Sequence, residues 1–171
     1  EYAAAVLSVL GIGASVFIAF RNTTAYNRWW EARTLWGGII ISSRTLANAL
    51  TSVDTGEPPV AAILDRMRRR QVRHCWTLAA ELRRIPPVDG VIELTPEDPA
   101  DTNAVDLLNR QAADIQTLAG NGYIDAQARV LLMTANTSAA TAQSGLERIR
   151  NEPVPIHYDL FIRGLAWFFG I

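Results

Sequence analysis

Residues 2–36 read YAAAVLSVLGIGASVFIAFRNTTAYNRWWEARTLW, and the architecture turns on this stretch. No charged residue occurs from Tyr2 to Phe20, and about 20 apolar residues in helix are what a bilayer crossing requires. The segment is therefore expected to cross a membrane. Its Ala and Gly content keeps a buried core helix as the competing reading. Arg21, Arg28 and Arg33 follow at once, as on a cytoplasmic flank, and Tyr26, Trp29, Trp30 and Trp36 supply amphipathic aromatics near that boundary. No Pro interrupts residues 21–50, and no Gly precedes the Gly37-Gly38 pair. One long helix should then leave the membrane and run on to about Leu50.

Working outward, Gly56 and the Pro58-Pro59 pair predict a break over Thr51 to Pro59. Ile63, Met67, Leu78 and Leu82 recur at helical spacing among many Arg residues, so Val60 to Arg84 is an amphipathic helix. Pro86-Pro87 closes it, and Val88 to Thr102, with Gly90, Pro96, Pro99 and several acids, reads as a loop. Within it Val88 to Leu94 is the only strand candidate, and a short one. Ala104 to Leu118 places Leu107, Leu108, Ile115 and Leu118 on one side of a third helix. Gly120-Asn121-Gly122 is a turn, and a fourth helix covers Ile124 to about Arg150. Between Thr134 and Gly145 it is rich in small residues, which permits close helix packing. After Pro153 and Pro155, residues 156–171 turn apolar again, as if the chain returned to a membrane. The fold class is all-α: transmembrane helices continuous with a cytosolic helical bundle. It forms one domain over 1–171, divided into a membrane helix running into the cytosol (2–50), cytosolic helices (51–155) and the start of the next membrane helix (156–171).

Composition excludes several functions. The 171 residues carry a net charge of −1, without the basic excess of a nucleic-acid-binding domain. All 16 basic side chains are Arg, which reads as coding bias. The single cysteine, Cys75, rules out an intrachain disulfide and most thiolate metal sites. His74 and Cys75 are adjacent, so on a helix they diverge and make poor co-ligands. Glu97, Asp98 and Asp101 lack the acid spacing and central Gly of an EF-hand, and a solvated loop is the simpler reading. The arginines from Arg66 to Arg70 are read as a solvent-facing helix edge ahead of an anion-attracting patch. No phosphate loop, zinc pattern or nucleophile elbow is present. No enzyme, cofactor or metal site is expected. The chain starts at Glu1 without an initiator Met and stops within an apolar run, so both ends read as cut.

One pattern points to transport. Ile12, Val16 and Phe20 stand at successive i, i+4 positions and form an apolar stripe along one helix face. Repeated around a symmetry axis, such a stripe makes stacked hydrophobic rings that can gate by dewetting. A single helix has such stripes by chance, and lipid or core packing explains most of them.

The segment from Phe20 to Arg33, with its Arg28-Trp29-Trp30-Glu31-Ala32-Arg33 core followed by Leu35-Trp36-Gly37, resembles the most characteristic segment of the bestrophin family, in particular its bacterial members. Glu147-Arg148-Ile149-Arg150-Asn151-Glu152-Pro153-Val154-Pro155 is similar to the family's segment ahead of its next membrane helix. The resemblance implies a homopentameric channel with one axial pore for inorganic ions. Ile12, Val16 and Phe20 would form its hydrophobic neck and Val154 its cytosolic aperture. Arg28, Trp29, Trp30, Glu31, Arg33, Pro153 and Pro155 would be structural. It implies an integral protein of the bacterial inner membrane in contact with lipid, with residues about 21–155 in the cytoplasm, and membrane helices before and after this stretch. Val16 and Val154 are smaller than the side chains often found at those places, which favours a wider pore. A membrane-anchored helical scaffold without conduction keeps every secondary-structure inference and drops the pore.

Overall fold

A computed structural model describes residues 2–152 together with 160, 163, 164 and 167; the side chains of residues 2–7, 9, 10, 14 and 17 fall outside that description. Val154, Pro153 and Pro155, and most of the second apolar segment, lie outside the described residues. Four α-helices follow in order: α1 (Tyr2–Ser52), α2 (Pro58–Arg83), α3 (Ala104–Gly120) and α4 (Ala126–Asn151), with a short 3-10 turn at Ile92–Leu94 between α2 and α3. The strand candidate at Val88 to Leu94 is therefore partly a helical turn. Two compact units result, one comprising Glu1–Arg33 and Arg148–Ile171, the other Thr34–Glu147. Among the described residues no helix is long and apolar enough to cross a membrane. The expected crossing at Tyr2 to Phe20 rests in large part on positions whose side chains are outside the description.

The helix ends explain where expectation and structure part. Pro58 and Pro59 do not extend the break: they occupy the first positions of α2, where a missing N–H is no loss and the fixed φ suits a helix. At its other end Arg84 adopts a left-handed conformation, φ 56°. The N–H groups of Arg84 and Ile85 donate to the carbonyls of Glu81 and Ala80, closing the helix with the bonds of a Schellman cap. Asn103 caps α3 by accepting from the Asp106 N–H at 2.8 Å, and the Glu81 carboxylate takes the Ala104 N–H at 3.0 Å. Asp125 caps α4 through the Ala128 N–H at 2.7 Å, which places its start two residues later than the apolar pattern predicts. Gly122, at φ 73°, supplies the turn ahead of it.

The larger unit has one core to which all four helices contribute. Leu46, Ala49 and Leu50 of α1, Val60, Leu64 and Met67 of α2, Ile115 and Leu118 of α3, and Leu132 and Ala135 of α4 are buried together. The small residues of α4 allow α1 close: a Cβ on Gly38 would stand 3.3 Å from that of Ala142, and one on Gly145 would meet Leu35 at 2.8 Å. The arginine run on α2 is not a solvent-facing edge. Arg70 and Arg73 are 3% and 1% exposed. The spacing that buries Met67 also buries Arg70 and His74, at i+3 and i+7. Arg70 reaches Asp98 through Nε and Nη2 at 2.7 and 2.9 Å and Asp114 of α3 through Nη1. Arg66 forks onto the same Asp114. Arg69 binds Asp65, Glu97 and the Leu94 carbonyl. The acids expected in a solvated loop thus include a buried carboxylate, Asp98, 4% exposed. Its burial disfavours the charge, but the hydrogen bonds and charge of Arg70 outweigh this and hold the carboxyl below the usual Asp range. Burial likewise opposes the charge on Arg70, and Asp98 and Asp114 more than restore it.

Two predictions follow from this packing. Leu64→Ala removes a fully buried side chain from the shared core, and unfolding in urea should report a loss of about 2–5 kcal/mol. Asp98→Asn leaves Arg70 partly unpaired in the interior, with an expected cost of about 3–5 kcal/mol. Because the Asp98 pKa is lowered in the folded state, its contribution is complete above the ordinary carboxylate pKa. It is lost as pH falls through the folded value. An acid titration of stability should therefore be shallower at its low-pH end in the Asn variant.

Candidate pore stripe and its anchoring motif

The smaller unit holds the residues singled out for transport. Ile12, Val16 and Phe20 are 67%, 47% and 59% exposed on α1, and they rise along the helix by about 12 Å from first to last. The hydroxyls nearby are turned back on their own helix. Ser15 donates to Gly11 O at 2.8 Å, Thr23 to Ala19 O at 2.9 Å and Thr24 to Phe20 O at 3.0 Å. Each is satisfied locally, so the stripe stays apolar.

About two to three turns beyond Phe20 stands the aromatic motif. Tyr26, Trp29 and Trp30 form a ring cluster with centroids 5.7 to 6.5 Å apart, and the Arg33 guanidinium lies 5.6 Å over the Trp29 ring. Arg28, from the same helix, joins the two motifs recognised in the sequence. Its Nη2 donates to Ile149 O at 2.6 Å and to Glu152 O at 2.7 Å. Helix α4 ends at Asn151, so a cation here satisfies carbonyls that have no partner further along the helix and opposes the negative end of its dipole. Glu31 pairs with Arg148. Arg28 and Glu31 thus hold the α4 terminus immediately ahead of Pro153-Val154-Pro155. Sequence reading named Arg28 and Glu31 without their partners, because Arg148 and Ile149 are more than 115 residues away and no local pattern couples them.

Cys75 is half-buried, its Sγ 3.8 Å from Ser43 Oγ, and burial pushes its thiol up. His74 is bound to Gln143. No group of metal-ligating side chains occurs among the described residues. A hollow of about 520 Å³ runs along α4 past Arg129, Val130, Met133 and Thr137, with no convergent acid and base.

The sequence profile of the bacterial/fungal bestrophin protein family matches residues 1–171. A voltage-dependent anion channel-forming protein of Mesorhizobium japonicum is 31% identical over 166 residues, covering 93% of this chain and 52% of its own length. The voltage-dependent anion channel-forming protein YneE of Escherichia coli is 28% identical over 179 residues, covering 100% of this chain and 57% of its own. Two crystal structures of a bacterial bestrophin homologue from Klebsiella pneumoniae, each with a single substitution, match with TM-scores of 0.87 and 0.86. Their identities are 27% and 28%, and they cover 97% and 95% of this chain and 63% and 62% of theirs. The chain spans about half the length of the curated relatives it matches. With a profile match over its whole length and this structural agreement at 0.87, the chain belongs to the bacterial/fungal bestrophin family.

Proposed function

We propose that this chain is part of an ion channel subunit, supplying the neck of a homopentameric pore through Ile12, Val16 and Phe20 and its cytosolic aperture through Val154. The observation that carries the reading is the exposed apolar stripe on α1, on a helix whose nearby hydroxyls are tied to its own backbone. An apolar face of this kind needs a covering or a dry constriction. Rings of Ile, Val and Phe around an axis would hold back water and ions until they widen. Passive conduction needs no catalytic group, and the role is not enzymatic. The names of the relatives, voltage-dependent anion channel-forming proteins, support anions as the permeant species. The protein would sit in the bacterial inner membrane among lipid, with residues about 21–155 in the cytoplasm and no nucleic-acid partner.

Arg28, Glu31 and the aromatic cluster act in this reading as positioning residues. Arg28 and Glu31 fix the end of α4, which leads in sequence to Val154.

Planar-bilayer recording of the full-length protein under asymmetric salt, with oligomeric mass measured on the same sample, tests the proposal. Pentamers with ion-selective openings are expected, and the sign of the reversal potential identifies the ion. A silent monomer or dimer would overturn conduction and leave the membrane scaffold. Phe20→Ala should raise unitary current severalfold by widening the neck, and unchanged conductance and selectivity would remove Phe20 from it. Arg28→Ala deletes two charged hydrogen bonds, each worth about 1.5–3 kcal/mol. Hydrogen exchange of the last turn of α4 should accelerate in that variant while the core of the larger unit keeps its protection.

A further inference from the structure

Inside the larger unit, His74 of α2 is 0% exposed, and its surroundings specify its protonation. Gln143 of α4 donates through Nε2 to the Glu147 carboxylate at 2.7 Å. A carboxylate only accepts, which fixes the amide with its nitrogen towards Glu147 and its oxygen towards the imidazole. That oxygen lies 2.8 Å from His74 Nε2. An oxygen of this kind cannot donate, so the proton of the contact belongs to the ring. The ring therefore carries a proton on Nε2, and in its neutral form it is the Nε2–H tautomer with a bare lone pair on Nδ1. Nδ1 is buried and has no hydrogen-bond partner among the described residues.

A second proton has one place to go, Nδ1, and there it would find no acceptor. It would also put a full charge in an enclosed site. The charged group that acts on the ring is Glu147, from α4. Towards α1, helix α2 presents the neutral pair Cys75 and Gln71, both bound to Ser43. Its neighbour Arg73 is engaged by the carbonyls of Thr95, Asp98, Pro99 and Ala100, and Arg70 by Asp98 and Asp114. The carboxylates on that side are thus already paired. Burial depresses the His74 pKa, against the smaller opposing effects of Gln143 and Glu147.

We infer that His74 is a proton-operated latch between α2 and α4: it closes the contact through the Glu147–Gln143–His74 chain when neutral, and acidification opens it by adding a proton that the closed site cannot accommodate. The sign follows from linkage. The closed form keeps the ring neutral while the open form takes up a proton, so the closed contact is intact above the ordinary imidazole pKa of about 6.5. Below it the contact weakens by about tenfold in equilibrium constant per pH unit, until the buried ring itself protonates. The inference does not depend on conduction, and it concerns α4 as the helix that runs on in the chain to Pro153-Val154-Pro155.

The full-length protein in detergent, labelled with ¹⁵N at histidine, provides the direct test. The chain contains only two histidines, His74 and His157, so His157→Gln assigns the signals within this region. At pH 7.5 His74 should show a protonated Nε2 and a bare Nδ1. A protonated Nδ1, or fast averaging of the two tautomers, would overturn the latch. Hydrogen exchange then reads the opening: after correction for intrinsic rates, protection of α4 amides around Gln143 should fall by about tenfold per pH unit below about 6.5. His74→Gln keeps a donor for Gln143 and does not titrate, so its protection should stay flat. Equal loss in both proteins, or none in the native one, refutes the inference. If the variant does not fold, the tautomer spectrum and the native exchange profile still decide the matter.

Discussion

Arg70 sits 3% exposed between two carboxylates that come from different parts of the chain, and the seating of α3 and the acidic loop on α2 depends on that arrangement. A guanidinium buried alone would be untenable. With Asp98 on two of its nitrogens and Asp114 on a third, it becomes a three-way joint. Arg66 and Gln111 complete the shell: Arg66 shares Asp114, and Gln111 donates to the Met67 carbonyl. The apolar core of Leu64, Met67, Ile115 and Leu118 lies beside this joint. Apolar burial supplies the driving force for the bundle. The charges fix which loop and which register accompany it.

The same device recurs in the smaller unit with main-chain acceptors. Arg28 binds the carbonyls at the end of α4, and Glu31 pairs with Arg148. In both units a guanidinium carries the contact because it offers several donors in a rigid fork and keeps its charge at any accessible pH. The proposed neck requires the opposite chemistry, a surface with nothing to offer an ion but its absence of water. Separating the two along α1 is what lets one helix carry an apolar stripe and, lower down, a polar anchor.

Much of this was legible beforehand, for reasons that can be named. Helix α1 declared itself through an unbroken run without Pro, and the turn at Gly122 through its need for positive φ. The stripe proposed as the neck was drawn from i, i+4 spacing together with the family resemblance. The family came from the paired motifs around Trp29-Trp30 and Pro153-Pro155, and the profile match over residues 1–171 agrees with it. The burial of Arg70 and Asp98 was not legible. An Arg-rich amphipathic helix looks the same whether its charges face water or a partner loop, since the partner is 28 residues away. The prolines at 58 and 59 were misread for a related reason: the residues forbid a helix interior but favour its first turn, and composition alone does not say which.

Arg73 holds the loop at 95–100 in a manner with its own consequence. Its guanidinium donates to the carbonyls of Thr95, Asp98, Pro99 and Ala100, and to the hydroxyl of Thr95 besides. Carbonyl oxygens are common to every residue, so what Arg73 recognises is the path of the main chain rather than its lettering. Changes at positions 99 and 100 that keep the path should therefore cost this contact little, whereas loss of the guanidinium at 73 would remove it. The same grip would serve a loop of different sequence that follows the same path.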